Sequence, residues 1–206
     1  MFDFLSLNKG EVFALLTAIC WSLSIIAFNR ATGSSRITQV KLFHNTLTVI
    51  LMMLLMMALD ISLIPEFDGW GWTIIVVSAL LGITLADTLF LYALQKLGSS
   101  LMAVADCSYS IYVLIFAYLI FGEVISPLSL LGVGLIIVGI LIPSVKNSDL
   151  DRPKADVITG LGVAVLTTAM MAITVLMLKL ILDKYNLIAI TFYRFTIGQG
   201  LLILYL

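Results

Sequence analysis

The sequence has very few charges for its length. Only 11% of its 206 residues are charged and 62% are hydrophobic, whereas a soluble domain typically has about a quarter of its residues charged. The net charge of −1 provides no basic surface, so nucleic-acid partners are excluded. This composition excludes a soluble globular domain and indicates a polytopic membrane protein.

Cysteine and histidine are equally scarce. Cys20 and Cys107 both lie in apolar runs, where a cysteine usually acts as a small buried residue, and His44 is the single histidine. Metal sites need several such ligands in a cluster. Neither a nucleophile–base pattern nor a glycine-rich phosphate loop is present. We therefore expect no metal, no cofactor and no enzyme activity.

Long hydrophobic runs are abundant instead. A bilayer core about 30 Å thick requires about 20 apolar residues per helix. Seven runs approach this length and predict an all-α fold of seven transmembrane helices: Glu11–Phe28, Val40–Leu59, Trp72–Leu94, Ser100–Phe121, Leu128–Ile142, Val157–Leu182 and Leu187–Leu206. The fifth is short for a spanning helix. All four prolines lie at or near predicted helix ends, so we expect no proline-broken helix.

The later part of the chain repeats the earlier part 150 residues further on. Four residues recur in register: Gly10, Ala14, Leu16 and Thr17 match Gly160, Ala164, Leu166 and Thr167. Five predicted helices separate corresponding points, and an odd number inverts the second copy in the bilayer. We therefore expect a first five-helix unit over residues 1–148 and the first two helices of an inverted second unit over 149–206. Doubling the unit gives about 300 residues, so we expect a truncated second repeat.

Two acidic residues lie deep within predicted helices. Asp87 and Asp106 flank the turn at Lys96–Gly98, and the helical rise of 1.5 Å per residue puts both about 14 Å below that turn. Charges inside a membrane are costly and therefore mark candidate functional sites. If the two carboxyls face one another, one would hold a proton, which predicts a proton-coupling pair. The alternative is that each accepts hydrogen bonds and only fixes the helices.

Basic and aromatic residues at similar depths are candidate solute ligands. His44, beside Asn45, corresponds in the repeat to Arg194, so each unit contributes one cationic or titratable group. Such a pair suits an anionic or zwitterionic solute, although Arg194 could also extend to the lipid headgroups. Aromatic residues of the same runs complete the predicted binding set, with core packing as their alternative role: Trp21, Tyr109 and Tyr112.

Basic residues near the connections between predicted helices indicate how the chain is oriented in the membrane. Arg30, Arg36 and Lys41 surround the first predicted connection, and Lys96 lies at the third. The positive-inside rule then places the odd-numbered connections in the cytoplasm and the N-terminus outside. Lys41 is counted here as a connection residue rather than as a residue of the membrane interior.

Several motifs carry a family resemblance over nearly the whole chain. The segment Ala93–Ser100 contains a turn, and Phe121–Pro127 contains a Gly-Glu corner at Glu123. Gly132 and Gly139 lie seven residues apart in the fifth predicted helix. In these features the chain resembles the drug/metabolite transporter superfamily, specifically its EamA-type members. His44 departs from the arginine that the family commonly has there.

The resemblance implies ten helices in two inverted repeats around a central cavity, with cytoplasmic termini that conflict with the charge count. It also implies alternating-access export or exchange of a small polar or amphipathic metabolite across the plasma (inner) membrane. Protons, membrane lipid and a second copy in a homodimer are the further expected partners. A non-transporting scaffold or lipid-interacting membrane protein is the alternative.

Overall fold

The computed structural model describes residues 9–64, 66–122, 124, 126–146 and 153–205, and the regular structure of these residues is entirely helical. In chain order the helices are α1 (Lys9–Ser34), α2 (Ile37–Ala58), α3 (Gly69–Ser78), a π-helical segment (Ala79–Ala86), α4 (Asp87–Asp106), α5 (Ser108–Phe121), α6 (Pro127–Lys146), α7 (Lys154–Leu182) and α8 (Leu187–Tyr205). The predicted boundary at residues 148/149 lies outside the described residues.

Five stretches of the described helices are long and apolar enough to cross a membrane: Val12–Ser34, Ile37–Ala58, Gly69–Asp106, Ala155–Leu182 and Leu187–Leu204. The predicted all-helical membrane fold is therefore confirmed, whereas the count of seven spanning helices stays a prediction. The fifth predicted run, Leu128–Ile142, lies within α6, a helix of 20 residues that continues past Pro143 to Lys146, and its crossing of the membrane stays a prediction.

The third of these stretches contains a sharp break at Gly98, where φ is 75° and ψ is 169°. This backbone conformation is available essentially only to glycine. Before the break, Lys96 pairs with Asp156 near the start of α7; beyond it, Ser108 lies 2.9 Å from Thr168, further along the same helix. The chain therefore reverses direction at Gly98, where the sequence predicts a turn.

Glycine also ends α5. Gly122 adopts the left-handed conformation (φ 65°, ψ 21°), and its N–H donates to the Tyr118 carbonyl at 3.0 Å. Such a residue terminates a helix by satisfying a carbonyl that has no helical partner. The helix end predicted at Gly122 and the start of the next helix at Pro127 are both found.

The hydrophobic core lies between α7 and the helix formed by α3, the π-helical segment and the first part of α4. Residues of this helix and of α7 pair at both ends: Lys96 with Asp156 at 2.6 Å, and Asp68, just before α3, with Lys184, just after α7, at 2.5 Å. Leu97 packs against Gly160, where a side chain would find no room. The buried apolar residues around α4 include Phe90, Leu91, Ala93, Leu94, Leu97, Leu101, Met102, Ala105 and Ala164.

The first helices of the two predicted units, α1 and α7, run in opposite directions. Along α4, α1 runs parallel, because Trp21 contacts Phe90 and the Gln95 amide donates to the Thr32 carbonyl at 2.7 Å. The antiparallel pairing of α7 with the same helix means that α1 and α7 oppose one another. The complete inverted repeat stays a prediction, since it includes helices beyond those described.

Candidate functional site

A cavity of about 170 Å³ lies between α1, α2, α4, α7 and α8. Its wall combines aromatic rings and apolar side chains with a few polar side chains. The lining residues are Trp21, Ser24, Phe28, Lys41, His44, Asn45, Ile83, Asp87, Phe90, Leu91, Met171 and Phe195. Ligand sites typically have this composition, in which apolar walls carry a few polar groups that orient the ligand.

One face of α2 supplies three of the polar residues. Lys41, His44 and Asn45 follow the i, i+3, i+4 spacing that brings side chains to the same side of a helix. Lys41 is only 2% exposed and Asn45 is fully buried at 0%. The remaining surface of α2 is largely apolar, so burying this face brings a lysine into the interior.

The Lys41 ammonium is held by the end of the π-helical segment. Its Nζ donates to the carbonyl oxygens of Ile83 and Thr84, the latter at 3.3 Å. In a π-helix the hydrogen bonds run from i to i+5, and the Asp87 N–H bonds the Gly82 carbonyl in this way. π-Helical turns occur frequently at functional sites. Here the segment provides backbone acceptors for a buried cation.

Asp87 provides the negative charge nearest to Lys41. Its Oδ2 lies 3.9 Å from Lys41 Nζ, and its side chain is 30% exposed, toward the cavity that it lines. Arg194 of α8 is close enough to Asp87 to interact with it electrostatically. The site therefore contains two cationic side chains around one carboxylate.

His44 and Asn45 line the cavity from the same face of α2 as Lys41. His44 Nδ1 lies 3.4 Å from Asn45 Oδ1, and the imidazole packs edge-on against Phe28 with ring centres 5.0 Å apart. Phe195 of α8 contacts the same ring at 6.2 Å. Asn45 Nδ2 is buried and has no hydrogen-bond partner among the described residues.

Arg194 lies beside the π-helical segment and is not among the lining residues. A Cβ on Gly82 would lie 3.1 Å from Arg194 Nη2 and 3.1 Å from Thr174 Oγ1, so the glycine makes room for the guanidinium. The buried Arg194 Nε has no hydrogen-bond partner among the described residues. Extension of Arg194 to the headgroups, the alternative considered from sequence, is not what is found.

Asp106 lies apart from the Asp87 group. Its Oδ2 accepts a 2.6 Å hydrogen bond from Trp21 Nε1, and the Trp21 ring in turn contacts Phe90 at 5.7 Å. Tyr109 lies near Asp106, while Tyr112 stacks on Phe116 at 6.1 Å. Neither tyrosine lines the cavity. Asp87 and Asp106 thus have different partners, and only Asp87 has a basic neighbour.

Sequence reasoning missed Lys41 as a site residue. Counting it among the cations of the first connection was wrong, because α2 begins at Ile37 and its packing buries the lysine. The signal was present in the spacing of Lys41 to His44 and Asn45 on one helical face. Glu123, at the Gly-Glu corner, lies outside the described residues.

No three metal-ligating side chains come together within the described ranges. Outside the cavity, Asp68 caps α3 in the connection between α2 and α3. There the pKa of the Asp68 carboxyl is lowered from 3.8 to about 2, first by the hydrogen bond from Lys184 and then by that from the Gly71 N–H at 2.7 Å.

Comparison with known proteins gives one match. The model of the EamA-like transporter family matches residues 8–145. No curated protein and no solved structure matches the chain significantly. The matched region contains α1 to α5 and most of α6, and with them the Lys41, His44, Asn45 and Asp87 side chains of the cavity.

Proposed function

The chain belongs to the EamA-like transporter family and is an integral multi-pass membrane protein, and on this premise we propose that it is a secondary active transporter of a small polar or amphipathic metabolite. The observation that carries the proposal is the polar cavity between α1, α2, α4, α7 and α8. Charged groups in a membrane interior are costly and therefore mark functional sites, and here they line a space that a solute can occupy.

The proposed transport cycle is alternating access between two inverted units. Support comes from the opposed directions of α1 and α7 and from the cavity lining, which draws residues from both units, such as His44 and Phe195. Rocking one unit against the other would then open the cavity to one side of the membrane at a time. Export or exchange across the plasma (inner) membrane, and assembly as a homodimer, belong to the same proposal.

Solute binding is proposed for Trp21, His44 and Asn45, which line the cavity. Arg194 does not line the cavity and would contribute positive charge next to Asp87. Tyr109 and Tyr112 would contribute only in a state of the cycle that widens the cavity toward α5. These groups support a solute that carries oxygen acceptors beside an apolar part, because donors and aromatic rings alternate around the wall.

Proton coupling is proposed for the two acidic residues, with unequal roles. Asp87 faces the cavity and could exchange a proton as its interactions with Lys41 and Arg194 change through the cycle. Asp106 would act through Trp21, whose ring lies between its carboxylate and Phe90 of the cavity wall. A non-transporting scaffold is less well supported, since Asp87 opens onto a cavity rather than onto sealed packing.

The test uses the 206-residue chain in proteoliposomes loaded with the pH-sensitive dye pyranine. A panel of small carboxylates, amines and zwitterions is added under an imposed pH gradient. We expect at least one solute to change the internal pH and Asp87→Asn to abolish that change, with folding of the variant checked by circular dichroism. Solute flux that ignores both the gradient and Asp87→Asn would refute the proton role. Absence of flux for every solute would refute transport by this chain.

A further inference from the structure

One hydrogen-bond donor of the cavity wall has no acceptor among the described residues. Lys41 Nζ and Asn45 Nδ2 are donors, and Asn45 Nδ2 is fully buried without a hydrogen-bond partner among the described residues. A buried donor without an acceptor destabilises the folded chain. This destabilisation is removed when an acceptor from a ligand occupies the cavity.

The charges in and next to the cavity wall are unbalanced as well. Lys41 and Arg194 contribute two cationic groups, and Asp87 is the only carboxylate that interacts with either of them in the described part of the chain. His44, the remaining titratable group of the lining, adds no negative charge. A site with excess positive charge in a low dielectric is stabilised by an incoming anion.

Lys41 does not donate a hydrogen bond to Asp87. Their separation of 3.9 Å exceeds a hydrogen bond, so the ammonium donates to the Ile83 and Thr84 carbonyls rather than to the carboxylate. An ammonium has three N–H donors, and the two carbonyls use two of them. Because Lys41 lines the cavity, its third N–H is the donor that we assign to a ligand oxygen.

Cavity size limits the rest of the ligand. Apolar cavities of about 150 Å³ are known to hold benzene, and this cavity is about 170 Å³. Phe28, Phe90, Phe195 and Trp21 supply apolar walls on which a single ring or a short aliphatic chain can pack. A larger ligand would require the cavity to widen.

We propose that Lys41 and Asn45 form a carboxylate-binding subsite, which makes the cavity selective for small monocarboxylates with one ring or a short apolar chain over their amine counterparts. The inference rests on the proposed transport function and specifies the solute for it. Lys41 is the specificity-determining residue, because its charge distinguishes an anion from a cation of the same shape.

Binding of a matched trio to the purified chain tests the subsite: benzoate, benzamide and benzylammonium share one ring and differ in charge. Equilibrium dialysis with radiolabelled compounds should show benzoate binding at least tenfold more tightly than the other two. Lys41→Met should remove this preference, and Lys41→Arg should retain it within about threefold, since the positive charge is kept. Arg30→Met, which removes an exposed cation at the end of α1, is the matched control and should leave the preference unchanged.

Asn45→Leu is the second variant. It removes a donor that has no hydrogen-bond partner among the described residues, and with it the 3.4 Å contact between Asn45 Oδ1 and His44 Nδ1. Benzoate affinity should fall about fivefold or more, with folding of the variant checked by circular dichroism. Equal binding of the trio, no binding of benzoate, or a benzoate preference that survives Lys41→Met would overturn the subsite. Because pyranine-detected flux of other solutes is measured separately, the transport proposal can stand when the subsite fails, and the subsite can bind benzoate when transport fails.

Discussion

The ammonium of Lys41 and the carboxylate of Asp87 lie 3.9 Å apart, on neighbouring helices that pack side by side. Both residues line the same cavity. Lys41 tolerates burial because two backbone carbonyls and a carboxylate surround its charge. Arg194 of α8 also interacts electrostatically with Asp87. Lys41, Asp87 and Arg194 therefore form one charged cluster, although they lie far apart in sequence.

Removing the carboxylate of this cluster should weaken the fold. Asp87→Asn leaves Lys41 and Arg194 without a counter-charge, and we expect a loss of about 1–3 kcal/mol in the free energy of unfolding, moderated by the 30% exposure of Asp87. Denaturation in mixed micelles, followed by circular dichroism, measures the change. The double variant Lys41→Met/Asp87→Leu should recover part of the loss, because it leaves only one cation.

The exposed Asp183, in the turn after α7, gives a matched control for the same chemical change. Asp183→Asn should alter stability by less than about 0.5 kcal/mol. If both asparagine variants unfold at the same denaturant concentration as the parent chain, Asp87 does not stabilise the buried cations.

Two glycines of α8 should respond oppositely to alanine. A Cβ at Gly198 would lie 2.5 Å from Ile83 Cγ2, so Gly198→Ala should push α8 away from the π-helical segment at a cost of about 1–3 kcal/mol. A Cβ at Gly200 meets nothing within 4 Å, and Gly200→Ala should stabilise the helix by about 0.5–1 kcal/mol. Thermal unfolding of both variants checks the contrast, and equal effects would contradict the close packing of α8 on the segment.

The hydrogen bond between Trp21 and Asp106 should contribute measurably. Trp21→Phe keeps an aromatic ring near Phe90 but removes the 2.6 Å donor to the carboxylate. We expect a loss of about 1–2 kcal/mol, as for hydrogen bonds to charged groups in partly exposed positions. Asp106→Asn retains an acceptor oxygen and should cost less. A larger loss for Asp106→Asn than for Trp21→Phe would show that other partners of the carboxylate dominate.

Stability in acid should depend on Asp68. Its pKa is lowered in the folded chain from 3.8 to about 2, so its stabilising effect is complete above about pH 4 and disappears as the pH falls toward 2. Melting temperatures measured between pH 6 and pH 2 should fall less steeply over that window for Asp68→Asn than for the parent chain. Lys184→Met removes the main cause of the shift and should also flatten the curve. Identical slopes for all three chains would contradict the assigned cause.

Much of the fold could be predicted from the composition and from the glycines and prolines that mark turns and helix ends. Apolar runs located most of the helical residues, and the glycines at 98 and 122 located a turn and a helix end. They did not predict the π-helical segment or the separation of α4 from α5. Helix ends were less accurate where polar residues continue a helix beyond its apolar run, as in the six residues by which α1 passes Phe28.

The candidate site was only partly predictable. His44, Asn45, Trp21 and Asp87 were selected as interior polar or aromatic residues, and all four line the cavity. Lys41 was assigned to a connection because it follows one closely in sequence. Asp106 was paired with Asp87 by depth alone, although depth along a helix does not specify which face a side chain occupies.

The amino-acid sequence by itself determined that this chain is helical and membrane-embedded, because apolar run length and the scarcity of charge depend only on local residue order. Only the tertiary structure decided which polar groups meet. Rotation and register of packed helices are fixed by contacts between distant residues, such as Gly82 with Arg194 and Gly198 with Ile83. Those contacts brought a lysine from α2 and an arginine from α8 to one carboxylate, which no local pattern encodes.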